Sequence, residues 1–317
     1  MVTAFTTAST RQTFGETLVE LGRENQDIVV LGGDLNKSTF ANLFGREFPE
    51  RFFDFGPAEQ NIMGVAAGLA ASRKSPFVTT FAVFGSCRPF DQIRVSIAQP
   101  HLNVKIVCTH AGIITGEDGM SAHSIEDLAL MCSLPGFTVL APADAVETVR
   151  AIRAAAETPG PFYIRLYRPA TPIVHQDNGY DFKIGKAELM RRGKNDDVTI
   201  IAVGVGVSSS LQAASALAEE GTSCRVVNMH TLRPVDEGAI LEAAKETGAI
   251  VTVEEHYIHG GLGSIVAQAL GKGHPVPLEM VALDRYAESG TAEELLEKYH
   301  LTPEYIGKAV KAALARK

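Results

Sequence analysis

The sequence predicts an α/β protein of two domains, each built on a parallel sheet. Short apolar runs that end in glycine or turn residues alternate with stretches whose apolar positions recur at helical spacing. A tract rich in proline and turn residues, RPATPIVHQDNGYD (168–181), interrupts that alternation, which then restarts. The chain has 317 residues, 45% hydrophobic and 21% charged, enough to bury more than one core.

Residues 11–24 carry a helical apolar pattern, and DIVVLGGD (27–34) is an apolar run closing on glycines, as a parallel strand does. Pro57 suits the first position of the next helix, where its missing N–H costs nothing, which places Glu59 in the first turn. PFVTTFAVF (76–84), NVKIVCTH (103–110), FTVLAP (137–142) and PFYIRLY (161–167) read as buried strands, with the amphipathic stretch Ala143–Ala156 as a helix among them. Beyond the turn-rich tract, DVTIIAVG (197–204), TSCRVVNM (222–229) and AIVTVEEH (249–256) repeat the pattern. The expected domains are residues 1–175 and 176–317. No fixed-period repeat or low-complexity tract is visible.

Composition excludes several classes of function. A formal net charge of -8 without any block of lysines or arginines argues against a nucleic-acid surface or an anionic membrane, and leaves small molecules or proteins as partners. The opening MVTAFTTASTRQTF lacks the basic and apolar regions of a secretory signal, and no apolar run approaches the roughly 18 residues of a spanning helix. A cytoplasmic location is expected. Cys87, Cys108, Cys132 and Cys224 are far apart and lack metal-ligand spacing, so buried thiols are expected, with neither disulfides nor zinc.

Glu59 is an acid at the head of an otherwise small and apolar segment, FDFGPAEQNIMGVAAGLA (53–70). A first-turn glutamate gains some tenths of a kcal/mol from the helix dipole, and that alone would make it structural. The small residues Gly64, Ala66, Ala67, Gly68, Ala70 and Ala71 leave room for another backbone or a ligand to approach, which favours an interface.

Six blocks carry a resemblance. GPAEQNIMGVAAGLA (56–70), TTFAVFGSCRPFDQIR (79–94), THAGIITGEDG (109–119) and PADAVE (142–147) resemble the pyrimidine-binding part of transketolases. VVNMHTLRPVD (226–236) and EEHYIHGGLGS (254–264) resemble their C-terminal domain. The blocks follow the family order over nearly the whole chain. The fold this implies is a parallel-sheet pyrimidine-binding domain for thiamine diphosphate, followed by a transketolase C-terminal-like α/β domain.

The resemblance further implies that Glu59 hydrogen-bonds a ring nitrogen of the cofactor's aminopyrimidine, so that the cofactor can shed its thiazolium proton. A buried carboxylate facing a neutral heterocycle must share a proton with it, which explains an acid in apolar company. Phe81 and Phe84 match the aromatic pair around the pyrimidine, where offset stacking adds about 0.5–1.5 kcal/mol beyond burial. Without the family they would simply be core. Arg11, Ser38, His110 and Arg168 fall where transketolases grip the terminal phosphate of the sugar, and Asp118 matches the aspartate that contacts the donor's hydroxyl. Taken singly, each has an ordinary surface or turn role.

Two departures shape the expectation. Transketolases hold Mg²⁺ and the diphosphate through a Gly-Asp-Gly stretch followed by an asparagine, and neither GGDLNKS (32–38) nor GEDG (116–119) fits that pattern. This chain is therefore expected to supply no metal ligand and to be the C-terminal subunit of a split, two-gene enzyme. An N-terminal partner subunit would carry the diphosphate and Mg²⁺ site, in a heterotetramer. Secondly, GEDGMSAHS places Ala122 where the family has a histidine, with His123 one position later as the candidate for proton transfer at the substrate. The alternatives are the beta subunit of a 2-oxo acid dehydrogenase first component, a deoxyxylulose-phosphate-synthase-like enzyme, and a catalytically silent scaffold. GGLGS (260–264) is read as a structural turn, and Glu254, Glu255, His256 and His259 as lining a subunit contact or entry channel after a strand, not as a zinc site.

Overall fold

The computed structural model describes residues 5–176 and 180–317. Positions 1–4 of the opening stretch and 177–179 of the turn-rich tract lie outside the described residues. The first sheet has seven strands, in the order Thr231–Arg233, Thr138–Leu140, Phe162–Arg165, Lys105–Thr109, Ser75–Phe81, Ile28–Gly32, Phe52–Asp54. All neighbours are parallel except Thr231–Arg233, an antiparallel edge strand contributed by the second half of the chain. The second sheet runs Leu278–Leu283, Ile250–Tyr257, Val198–Ala202, Cys224–Asn228, Glu188–Arg191, with only the last pair antiparallel.

Alternation along the buried strands sorts the first core into two faces. Val30, Phe77, Val107 and Ile164 pack with Phe14 and Leu18 of helix Thr10–Glu24 and Ile152 of helix Ala145–Glu157. Leu31, Val78, Ile106 and Tyr163 face the other way, onto Ile62 and Met63 of helix Glu59–Ala71. That second cluster continues through Leu232 into Val227, Met229 and Val266, so the two α/β units share a core.

Four expectations need correcting. The run PFVTTFAVF is a strand only to Phe81; Ala82–Ser86 turns into a helix, the Ser86 hydroxyl donating to the Ala82 carbonyl at 2.7 Å. Pro57 does not open its helix. Gly56, at φ 65°, makes a turn in which the Ala58 N–H donates to the Gly56 carbonyl, and the helix starts at Glu59. Glu254, Glu255 and His256 lie inside the strand Ile250–Tyr257, not after it, and are buried, with Glu254 and Glu255 bordering a cavity of about 220 Å³ beside Pro172 and Val205. Backbone N–H groups hold both acids: Glu254 accepts from Leu262 and Gly263 at 2.7 and 2.8 Å, capping helix Leu262–Lys272, and Glu255 accepts from Ile114 at 2.7 Å through Oε1, while its Oε2 has no partner. His256 donates from Nδ1 to the Tyr257 carbonyl and accepts at Nε2 from Ala129. His259 is exposed. All four cysteines are free, but Cys87 is exposed where a buried thiol was expected. No helix among the described residues is long and apolar enough to cross a membrane.

A polar knot joins the two sheets. Asp144 caps helix Ala145–Glu157 and also accepts from the backbone N–H and Nδ1 of His175, at 2.8 and 2.9 Å. The other ring nitrogen of His175 meets Glu188 at 2.7 Å, and fully buried Glu147 accepts from Tyr180 and Asn228. Glu147, His175 and Glu188 bring possible ligand atoms within 4.8 Å, yet both ring nitrogens of His175 already face carboxylates, an arrangement that suits a proton and not a metal ion. Burial opposes charge on His175, but hydrogen bonds to Asp144 and Glu188 and the field of Glu147 outweigh it and raise the ring to about 10. A raised value stabilises the fold fully below the unfolded value near 6.5 and is lost as pH rises through about 10. Thermal unfolding is therefore expected to show stability falling between those pH values. The difference between wild type and His175→Gln isolates the effect, and should shrink across that window.

Candidate active site

The C-terminal edge of the first sheet, where ligands of open parallel sheets bind, gathers two groups of side chains. In the first, Glu59 begins its helix with only 6% of its surface exposed. Its Oε1 accepts from Nη1 of Arg88 at 2.8 Å. Phe81 ends its strand and Phe84 sits on the following turn of helix, their rings nearly parallel (15°) with centroids 5.9 Å apart. The guanidinium of Arg88 lies 3.9 Å from the Phe84 centroid. Arg88 stands inside the block TTFAVFGSCRPFDQIR, but sequence reasoning gave it no role; its position four residues after Phe84 was the available signal.

The second group surrounds Arg11. Its Nε donates to the Arg168 carbonyl at 2.8 Å and its Nη1 to the Ser38 carbonyl at 2.7 Å. Ser38 thus orients Arg11 through its backbone carbonyl. Arg168 donates to the Thr115 carbonyl at 2.7 Å and to Glu117 at 2.6 Å, and lies 3.8 Å from Asp118. Burial and the neighbouring Arg168 lower Arg11 from its ordinary value. Arg11 is held by neutral carbonyls, whereas Arg168 is paired with Glu117 and lies near Asp118, so Arg11 presents the less neutralised positive charge to an incoming anion. Sequence reasoning passed over Glu117.

His110 connects the groups. Its backbone adopts φ 58°, its ring stacks on Phe81 with centroids 3.6 Å apart, and Nδ1 meets the Thr109 hydroxyl at 2.8 Å. Burial, then the charges of Arg11 and Arg168, lower the ring to about 3, so at neutral pH it is an uncharged hydrogen-bonding group. His110, Phe81, Phe84 and Arg88 form a run of stacked planes ending at Glu59.

The loop between Ile113 and Gly119 is set by glycines. Gly112, Gly116 and Gly119 have φ between 75° and 78°, and a Cβ on Gly112 would fall 2.2 Å from the Glu255 carboxylate. His123 is drawn beneath this loop. It is 1% exposed, its Nε2 donates to the Gly116 carbonyl at 2.9 Å, and its Nδ1, near the Ala287 backbone, makes no well-formed hydrogen bond. Burial outweighs its hydrogen bonds and lowers the ring's pKa. The proton-transfer role considered for His123 would rest on that Nδ1 alone.

Residues 6–173 match the transketolase pyrimidine-binding domain and residues 185–306 the transketolase C-terminal domain. This chain belongs to the transketolase family. Among its relatives is a protein of Methanocaldococcus jannaschii named as a transketolase C-terminal section, 44% identical over 95% of this chain and 94% of that protein. The 6-deoxy-6-sulfo-D-fructose transketolase subunit SqwH of Clostridium sp. (strain MSTE9) is 40% identical over 97% and 95%. A solved structure described as a split gene transketolase, inactive beta4 tetramer, superposes with a TM-score of 0.90 at 48% identity, covering 98% of this chain and 99% of that one. The chain spans about half the length of the mammalian relatives it matches.

Proposed function

We propose that this chain is the C-terminal subunit of a split, thiamine-diphosphate-dependent transketolase that moves a two-carbon ketol unit from a ketose phosphate to an aldose phosphate. An N-terminal partner subunit would hold the diphosphate and Mg²⁺ in a cytoplasmic heterotetramer. The observation that carries this reading is the buried carboxylate of Glu59 set beside the face of Phe84, with a planar cation already seated on both. That pair fits a flat heterocycle that stacks and shares a proton. When bound, the cofactor supplies the electron sink for a carbanion next to the transferred carbonyl.

The residues of this chain bind and orient. Glu59 would hold a proton at the pyrimidine's ring nitrogen, with Phe81 and Phe84 forming the stacking wall. Arg11 and Arg168 would hold the anionic end of the sugar, His110 would add an uncharged hydrogen bond, and Asp118 would face a donor hydroxyl. The match to the sulfosugar transketolase subunit leaves the anion open between phosphate and sulfonate.

Two results test the reading. Calorimetry with Mg²⁺ and thiamine diphosphate is expected to show no tight binding to this chain alone and clear binding once it is co-expressed with the N-terminal subunit. Tight binding to the isolated chain would contradict the division of the site. In the assembled enzyme, Arg11→Gln should raise KM for a phosphorylated ketose about 10- to 100-fold, as expected for losing a charge-assisted contact, while kcat changes little. KM for the unphosphorylated ketose should not move.

A further inference from the structure

We infer that Arg88 occupies, in the chain without cofactor, the place the aminopyrimidine takes on assembly, so that the subunit keeps its acid Glu59 self-paired until the partner delivers the cofactor. This rests on the reading of Glu59 and Phe84 given above and adds a resting state to it.

The Arg88 guanidinium makes two contacts at once. It lies flat over Phe84, Cζ 3.9 Å from the ring centroid, and its Nη1–H donates to Glu59 at 2.8 Å. A guanidinium is planar, weakly hydrated and rich in in-plane donors, so it can stack on a ring while donating sideways to a carboxylate. An aminopyrimidine has the same flatness and would use the same face and the same oxygen. The two cannot occupy this place together.

Burial says which one gives way. The Glu59 side chain is 7% exposed and fixed as the first residue of its helix, whereas that of Arg88 is 48% exposed on a flexible stem. The Arg88 backbone stays where it is, its carbonyl accepting from the Gln60 amide at 3.3 Å, so the guanidinium can swing into solvent without moving the chain. In the isolated subunit the contact covers an aromatic face and pairs a buried charge. Binding of the heterocycle then competes with an internal ligand, and the apparent affinity falls by the fraction of molecules in which Arg88 is seated.

The test is the equilibrium affinity of the complex with the N-terminal subunit for thiamine diphosphate at saturating Mg²⁺, read by calorimetry on wild type, Arg88→Ala and Arg88→Lys. A half-exposed ion pair and a cation–π contact together predict that Arg88→Ala tightens binding about 3- to 30-fold. Arg88→Lys, which keeps the charge but not the plane, should fall between the two. Equal or weaker binding by Arg88→Ala, with wild type binding normally, overturns the inference alone. A wild-type complex that binds no thiamine diphosphate overturns the reading of the site as well.

Discussion

Glu59→Gln, measured in the assembled enzyme, is expected to lower kcat by about 10²–10⁴-fold, the range general acid–base groups contribute. The amide is nearly isosteric, so the helix start can persist, and in the cofactor-free chain its oxygen can still accept from Arg88. What it cannot do is exchange a proton with a ring nitrogen, and a buried site offers no water to replace it, given that Glu59 is 6% exposed. The loss should fall on kcat, with KM for the sugar little changed, because Glu59 lies at the far end of the stacked run from Arg11. Unchanged turnover would support the reading of this chain as a silent scaffold. A fall of only a few-fold would move the proton-sharing role away from Glu59.

Why the acid was legible in the sequence and its neighbour was not follows from distance along the chain. Glu59 declares itself locally, as a carboxylate at the head of a segment of small apolar residues, and the resemblance supplies its role. Arg88 is 29 positions away and looks like a surface arginine; only the packing of the helix Glu59–Ala71 beside the end of the strand Ser75–Phe81 brings the two together. The same distinction runs through the fold. Interior strands such as Lys105–Thr109 and Val198–Ala202 are buried on both faces and read as mostly apolar runs without polar alternation. Phe52–Asp54, Glu188–Arg191 and Leu278–Leu283 lie at sheet edges and are partly exposed, so their sequences carry half the signal. Thr231–Arg233 is three residues long and pairs with the other domain's sheet, for which no local pattern exists. The burial of His123 depends on left-handed backbone at Gly116 and Gly119, which letters alone do not orient.

Arg165→Met is expected to cost about 3–5 kcal/mol of stability, the usual penalty for stripping one partner from a buried ion pair. Arg165 and Asp127 are both within 1% of full burial and meet at 3.0 Å, with the Tyr163 hydroxyl donating to the same oxygen at 2.8 Å. Burial works against the Arg165 charge, but the attraction of Asp127 outweighs it and holds the guanidinium protonated. Its Nη2 donates to the carbonyls of Ser124 and Glu255 at 3.2 and 2.8 Å, so one side chain ties the first sheet, the loop after the Gly116 turn and the second sheet together. Methionine would fill much of the space yet leave Asp127 charged and short of a donor. The double variant Asp127→Leu, Arg165→Met removes both charges, and denaturant unfolding should show it recovering most of the loss. A single variant that loses less than about 1 kcal/mol, the range of an exposed pair, would mean the interior there is solvated. Because Glu255 also holds the Ile114 N–H, loosening this knot should reach the turn that carries the Thr115 carbonyl and, through it, Arg168. The single variant is thus expected to raise KM for the anionic sugar even at temperatures where it remains folded.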